Sequence, residues 1–207
     1  MENVRGPVAG VVLAGGMSSR MGRDKALLQV YGPGKPDLLA RTCALLTDLL
    51  PQCWISCRSG LARAGYQCIF DEYPDRGPAA GVLAALKAAR AHGFDAVLVV
   101  SCDMPFMDAP TLRRLLASRN TAGAGNLATL YVDAVSGRPE ALVAVYETAS
   151  LPWFEKSVTQ QGGRLNNVVP AEKQTRLPYG PDEAGPFFNL NRPEDVKRAL
   201  DILGASL

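Results

Sequence analysis

Residues 8–14, Val-Ala-Gly-Val-Val-Leu-Ala, carry no charge and no polar–apolar alternation, and they run directly into Gly15-Gly16. A strand written this way has no face to give to water, so it must be covered on both sides, as in a parallel sheet between helices. A second run of the same kind, Asp95-Ala-Val-Leu-Val-Val-Ser101, ends on Ser101-Cys-Asp-Met-Pro105. Helix-patterned sequence lies between and after these runs, which predicts an α/β domain with a mostly parallel sheet. Ligands of such sheets sit beyond the carboxyl ends of the strands. Both strand ends carry unusual chemistry, glycines and basic residues after the first and Asp103 after the second.

The remaining elements follow from pattern and punctuation. A helix is predicted over about 37–50, with Leu38, Leu39, Leu45, Leu46, Leu49 and Leu50 as its apolar stripe and Pro51 as its stop. Short strands are expected at 54–57 and 67–70. An Ala- and Leu-rich helix follows over 77–91, entered through Gly77-Pro78. Asp108 should cap the next helix, to about Ser118. Strands are expected at 127–132 and 141–146, with Ser136-Gly-Arg-Pro139 as the turn between them. The stretch 148–161 reads as helical after Pro152, 164–169 as one short helix, 170–186 as loop-rich, and 193–203 as the last helix. Asn191-x-x-Glu194 has the spacing of a capping box. No repeat or linker divides the 207 residues, so one domain is expected.

Composition removes several functional classes. The chain has one histidine, His92, so a multi-histidine zinc site is impossible and any Ser-His-Asp triad would have to use it. His92 stands before Gly93 at a predicted helix end, where such a side chain is routine. The net charge of +2, with no strong basic cluster, argues against nucleic acid as a partner. Five cysteines form no paired framework, which predicts a reducing compartment. Cys53 and Cys57 lack a second Cys/His pair at zinc-ligand spacing and read as buried thiols. Neither a signal-peptide pattern nor an apolar run long enough to span a membrane is seen, so a cytoplasmic protein without a membrane partner is expected.

The richest segment is Leu13-Ala-Gly-Gly-Met-Ser-Ser-Arg-Met-Gly-Arg-Asp-Lys25. Glycines after a strand let backbone N–H groups approach an anion. Ser18 and Ser19 add donors, and Arg20 and Lys25 add positive charge. That composition suits a polyphosphate, although the spacing is neither a Walker P-loop nor G-x-G-x-x-G. Without further information it reads alternatively as a strand-to-loop turn with exposed basic residues.

The same segment, as Leu13-Ala-Gly-Gly-x-Ser-x-Arg-Met-Gly-x-Asp-Lys25, closely resembles the N-terminal signature of molybdenum cofactor guanylyltransferases, the MobA family of nucleotidyltransferases. Further blocks resemble that family in order: Phe70-Asp71 with Gly77-Pro-Ala-Ala-Gly81, Cys102-Asp-Met-Pro105, Glu140 to Tyr146, and Phe188-Asn-Leu-Asn-Arg-Pro-Glu-Asp195. The resemblance implies a Rossmann-like three-layer nucleotidyltransferase fold. It implies a nucleotide-binding half at about 8–107 and an acceptor-binding half at about 108–203. The implied activity is transfer of GMP from GTP to the phosphate of molybdopterin, giving the guanine dinucleotide cofactor and pyrophosphate. Alternatives are a related nucleotidyltransferase using CTP or another acceptor, and a non-catalytic nucleotide-binding accessory protein. The glycine pair is the guanylyltransferase form of the loop and argues against CTP.

What the resemblance implies for individual residues is as follows. Lys25, Asp103 and Arg20 are the expected catalytic residues. Leu13, Ala14, Gly15, Gly16, Lys25, Ser56, Asp71 and Asp103 are expected to bind nucleotide. Mg²⁺ is the expected cofactor, held by Asp103 with Asn189 and Asn191. Rival readings are Asp71 as an Asx turn at a loop start, Ser56 as an ordinary strand-end serine, Asn191 as the cap of the last helix, Asp103 as a capping or pairing group near its strand end, and Lys25 and Arg20 as solvated basic residues. Partners are then GTP and molybdopterin, with molybdoenzymes or other cofactor-synthesis proteins downstream. An acceptor phosphate is already ionised, so this reaction requires no general base, which accords with the single histidine.

Overall fold

The computed structural model describes residues 5–14, 24–58, 62–73, 76–160 and 164–205. Among them seven strands form one sheet: β1 (Val8–Leu13), β2 (Cys53–Arg58), β3 (Cys68–Asp71), β4 (Ala96–Ser101), β5 (Ala128–Asp133), β6 (Pro139–Glu147) and β7 (Gln174–Tyr179). Their order is β3-β2-β1-β4-β6-β5-β7. The pairs β1–β2, β2–β3, β1–β4 and β5–β7 are parallel, and β6 runs antiparallel to both β4 and β5. The chain steps outward from β1 to β3 and returns to the other side of β1 as β4. The sheet therefore has its topological switch point between the ends of β1 and β4.

The two charge-free runs behave as their composition requires. Ala9 and Val11 of β1 and Val97 and Val99 of β4 enter one apolar core. Val8, Val12, Ala96, Leu98 and Val100 enter the core on the opposite face. The first core is closed by α2 (Pro78–Ala91) and α4 (Leu151–Thr159), the second by α1 (Leu38–Thr47) and α3 (Ala109–Thr121). Asp37 and Asp108 start α1 and α3 by accepting the Ala40 and Thr111 N–H groups. His92 closes α2, its Nδ1 lying 2.8 Å from the Ala88 carbonyl.

α2 lies unusually close to the ends of β1 and β2, and Gly81 permits it. A Cβ at Gly81 would stand 2.6 Å from Ser56 Oγ and 3.3 Å from Leu13 Cδ2. Gly81→Ala is therefore expected to destabilise by about 1–2 kcal/mol, overpacking outweighing the ~1 kcal/mol helix-propensity gain. Adding Ser56→Ala should restore most of that loss, because the clash is with the hydroxyl. Thermal melts of the wild type, single and double variants check this; a Gly81→Ala protein as stable as wild type would contradict it.

α5 (Pro193–Leu203) belongs to a third, smaller core. Leu190, Val196 and Ala199 meet Leu28, Val30 and Leu38 there, tying the C-terminal segment to the stretch after Lys25. None of the described helices is long and apolar enough to cross a membrane.

Three local expectations need correction. The segment expected to be loop-rich over 170–186 contains β7, whose alternating, Pro178-containing sequence is compatible only with an edge strand. Within 164–169 only Leu165–Asn167 forms a 3-10 turn. The expected capping box of α5 is not formed; only a side chain reaching back to the cap is present, and one residue later than expected. Pro193 sets the first helical position, so Arg192 is the N-cap, and Asp195 rather than Glu194 accepts the Asn191 and Arg192 N–H groups, both at 2.8 Å.

At the end of the sheet opposite the switch point, Glu147 holds two arginines. Arg119 donates Nε to Oε1 and Nη2 to Oε2, each at 2.9 Å, and Arg5 donates Nη1 to Oε1 at 2.8 Å. Arg119 is 2 % exposed. The triad joins the entry to β1, the C-terminal part of α3 and the end of β6.

Candidate active site

The switch point opens a recess lined by Leu13, Ala14, Asp24, Lys25, Ala26, Ser101, Cys102 and Asp103. Backbone bonds hold its floor. Ala14 N–H donates to the Ser56 carbonyl, and Cys102 N–H to the Leu13 carbonyl, so the ends of β2, β1 and β4 move as one. Leu190 N–H donates to the Asp103 carbonyl at 2.9 Å. That bond, with the small third core beneath it, delivers Asn191 to Asp103 from the far end of the chain.

Three side chains converge here. Lys25 Nζ stands 3.4 Å from Asn191 Oδ1 and 3.8 Å from Asp103 Oδ2. The two side chains of the Lys25–Asp103 pair are 17 % and 18 % exposed, so solvent screens the interaction only in part. Asp103 Oδ1 accepts from Ser101 Oγ at 2.6 Å. Because Asp195 does the capping, the Asn191 amide is released from that task and its oxygen faces the ammonium. Asn189 donates Nδ2 to the Phe187 carbonyl at 2.9 Å, so its amide nitrogen is engaged within its own segment.

The donor set suits a hard divalent cation. One carboxylate oxygen and one amide oxygen already face a single positive charge, that of Lys25. Among the described residues no cluster of three or more His, Cys, Asp or Glu could hold a metal alone. A site of this kind is completed by substrate phosphates and water, as magnesium sites commonly are. Cys102 is buried, and burial, with Asp103 and Asp24 nearby, pushes its thiol up to about 12.

Around the recess, the turn after β4 is clamped from two sides. Tyr31 donates its hydroxyl to the Pro105 carbonyl at 2.8 Å, and burial raises that phenol to about 12. Phe106 packs on Phe188 with ring centroids 5.6 Å apart. Asp24 caps the 3-10 turn Lys25–Leu27 by accepting the Ala26 N–H, and it pairs with Arg63 at 2.5 Å.

The structure thus brings Leu13, Ala14, Lys25, Asp103 and Asn191 together. Ser56 is 4 % exposed, lying beneath α2 against Gly81. Asp71 ends the edge strand β3, where its Oδ1 accepts the Tyr73 N–H as an Asx turn does. Gly15, Gly16 and Arg20 lie outside the described residues. Sequence reasoning gave no role to Ser101 or to the Asp24–Arg63 pair. Asp24 before Lys25-Ala-Leu27 has the form of a cap, a signal that was there to read, but nothing local announces Arg63.

Comparison with known proteins bears on this arrangement. Residues 10–173 match the MobA-like NTP transferase domain. The chain is 31% identical to the molybdenum cofactor guanylyltransferase of Rhodobacter capsulatus over 202 residues, covering 95% of this chain and 96% of that protein. It is also 31% identical to the molybdenum cofactor biosynthesis bifunctional protein of a Synechocystis species, but spans only 52% of its length. In three dimensions it superposes on molybdopterin-guanine dinucleotide biosynthesis protein A from Archaeoglobus fulgidus with a TM-score of 0.74 at 26% identity, covering 95% of this chain and 98% of that one.

Proposed function

The chain belongs to the MobA-like NTP transferase family, and on that premise we propose that it transfers GMP from GTP to the phosphate of molybdopterin. An oxygen of the acceptor phosphate attacks the α-phosphorus of GTP. The bond from that phosphorus to the bridging β-phosphate oxygen breaks, and pyrophosphate leaves with the electron pair. The observation that carries this reading is the convergence of Lys25, Asp103 and Asn191 at the switch point of the sheet. The full-length match to the Rhodobacter guanylyltransferase supports GTP and molybdopterin as the substrates.

The residues divide the work. Lys25 neutralises triphosphate charge; its ammonium stands 3.4 Å from Asn191 Oδ1 and 3.8 Å from Asp103 Oδ2, at the mouth of the recess where the phosphates are proposed to sit. Asp103, with Asn191 and Asn189, holds the divalent cation, for which Mg²⁺ is proposed. When bound, that cation supplies charge neutralisation on the α-phosphate and the leaving pyrophosphate. Leu13, Ala14, Gly15 and Gly16 are proposed nucleotide contacts, the glycines through their backbone N–H groups, with Arg20 adding charge. Asp71 and Ser56 are proposed contacts on the nucleoside side. No general base is assigned, because the acceptor phosphate is ionised at neutral pH; catalysis is positioning plus electrostatics. The whole chain is proposed as one catalytic domain, its N-terminal half serving the nucleotide and its C-terminal half the acceptor. Five free thiols support a cytoplasmic location.

Pyrophosphate release from GTP, dependent on both molybdopterin and Mg²⁺, tests the activity. GTP with Mg²⁺ at a hundredfold over its Kd should stabilise the protein by about 2.7 kcal/mol, roughly 5–10 °C for a chain of this size. CTP and ATP at the same concentration should give smaller shifts. Equal shifts with CTP and GTP would remove the guanine assignment.

A further inference from the structure

The two oxygens of Asp103 keep different company. Oδ2 faces Lys25, and Oδ1 accepts from Ser101 Oγ at 2.6 Å. Among the described residues Ser101 is the only donor to Oδ1. Ser101 is the last residue of β4, 8 % exposed and in register with Leu13 of β1, so its hydroxyl is held by the central pair of the sheet. The backbone of Asp103 is fixed separately, by Leu190 N–H on its carbonyl. That bond places the Cβ but does not aim the carboxylate, whose terminal torsion is broad and two-fold.

We propose that Ser101 is a positioning residue for the divalent cation: its hydroxyl fixes the plane of the Asp103 carboxylate, so that Oδ2 is presented to the metal. The proposal rests on Asp103 being the metal ligand. A charge-assisted hydroxyl–carboxylate bond at this length is among the stronger single interactions a side chain makes. Losing it leaves Oδ1 and Oδ2 free to exchange places and to share the Lys25 ammonium, from which the arriving cation must then win them. Outer-shell partners of metal ligands typically contribute 10- to 100-fold in affinity or activity. The lower end applies to one hydroxyl on a partly solvated carboxylate.

The test is Mn²⁺ titration of the full chain, followed by electron paramagnetic resonance, on the wild type, Ser101→Ala, Ser101→Thr and Asp103→Asn, with the melting temperature of each. Ser101→Ala should weaken Mn²⁺ binding ~10-fold with little change in melting temperature. Ser101→Thr, which keeps the hydroxyl, should bind nearly as wild type. Asp103→Asn should bind more weakly than either. If Asp103→Asn loses binding while folded Ser101→Ala binds as wild type, the positioning role is overturned and the metal reading stands. If folded Ser101→Thr is as weak as Ser101→Ala, the hydroxyl is not what matters and the proposal also fails. If Asp103→Asn binds Mn²⁺ as wild type does, the metal reading itself fails and Ser101 has nothing to position.

Discussion

Asp103→Asn is expected to leave the protein folded and to lower the rate of GMP transfer by ~10²-fold or more, the loss of ~3 kcal/mol of transition-state stabilisation. The amide can still accept from Ser101 through its oxygen. Keeping that bond turns its NH₂ group toward Lys25 Nζ, where Asp103 Oδ2 now stands at 3.8 Å. The site thus loses an anion and gains a misdirected donor. The Mg²⁺ concentration needed for half-maximal rate should rise along with the loss of rate. Steady-state kinetics across a Mg²⁺ series checks both; normal rate and normal Mg²⁺ dependence in a folded variant would exclude Asp103 as the ligand. An unfolded variant would instead make Asp103 a structural clamp at the end of β4.

Glu147→Gln should have the opposite profile, a large loss of stability with catalysis per folded molecule unchanged. Both carboxylate oxygens of Glu147 are engaged by Arg119, and one also by Arg5. Arg119 and Glu147 side chains are 2 % and 9 % exposed, so water cannot take over when the anion is removed. Breaking a buried ion pair from one side costs about 3–5 kcal/mol, because the partner charge stays buried and uncompensated. For a chain of this size that is roughly 6–20 °C in melting temperature. Replacing the whole triad together, as Glu147→Leu with Arg119→Leu and Arg5→Leu, should recover much of the loss, since apolar substitutes remove the desolvation cost along with the attraction and leave no arginine unpaired. Glu147 pairs with Ala96, at the start of β4, whereas the active-site end of that strand is Ser101. A Glu147→Gln protein that melts within 2 °C of wild type would show that the triad is not a stabilising element.

The opposite placement of these two clusters explains why one was legible in the sequence and the other was not. Asp103 follows an uninterrupted apolar strand and stands in a short block that resembles a known family, so its position at a strand end could be read along the chain. Glu147 and Arg119 look like ordinary charged residues at the ends of a strand and a helix. Only the packing of α3 on the sheet encloses them together, and no periodicity encodes that.

The distinction holds for the rest of the molecule. Sequence alone determined the two buried central strands, the aspartate cap of α3 and the basic glycine-containing segment after β1. Each of these depends on composition or spacing within a few residues, where side-chain periodicity and capping chemistry act locally. Tertiary structure decided that 174–179 becomes a strand, because a polar, Pro178-containing segment gains its pairing only from β5. It decided that Asp195 caps α5, which turns the Asn191 amide toward Lys25. It also decided that Ser101 faces the Asp103 carboxylate and that Arg63 reaches Asp24. These contacts bring together elements that the chain separates widely or side chains whose torsions no local rule fixes, and their geometry exists only once the sheet and its helices have closed around the switch point.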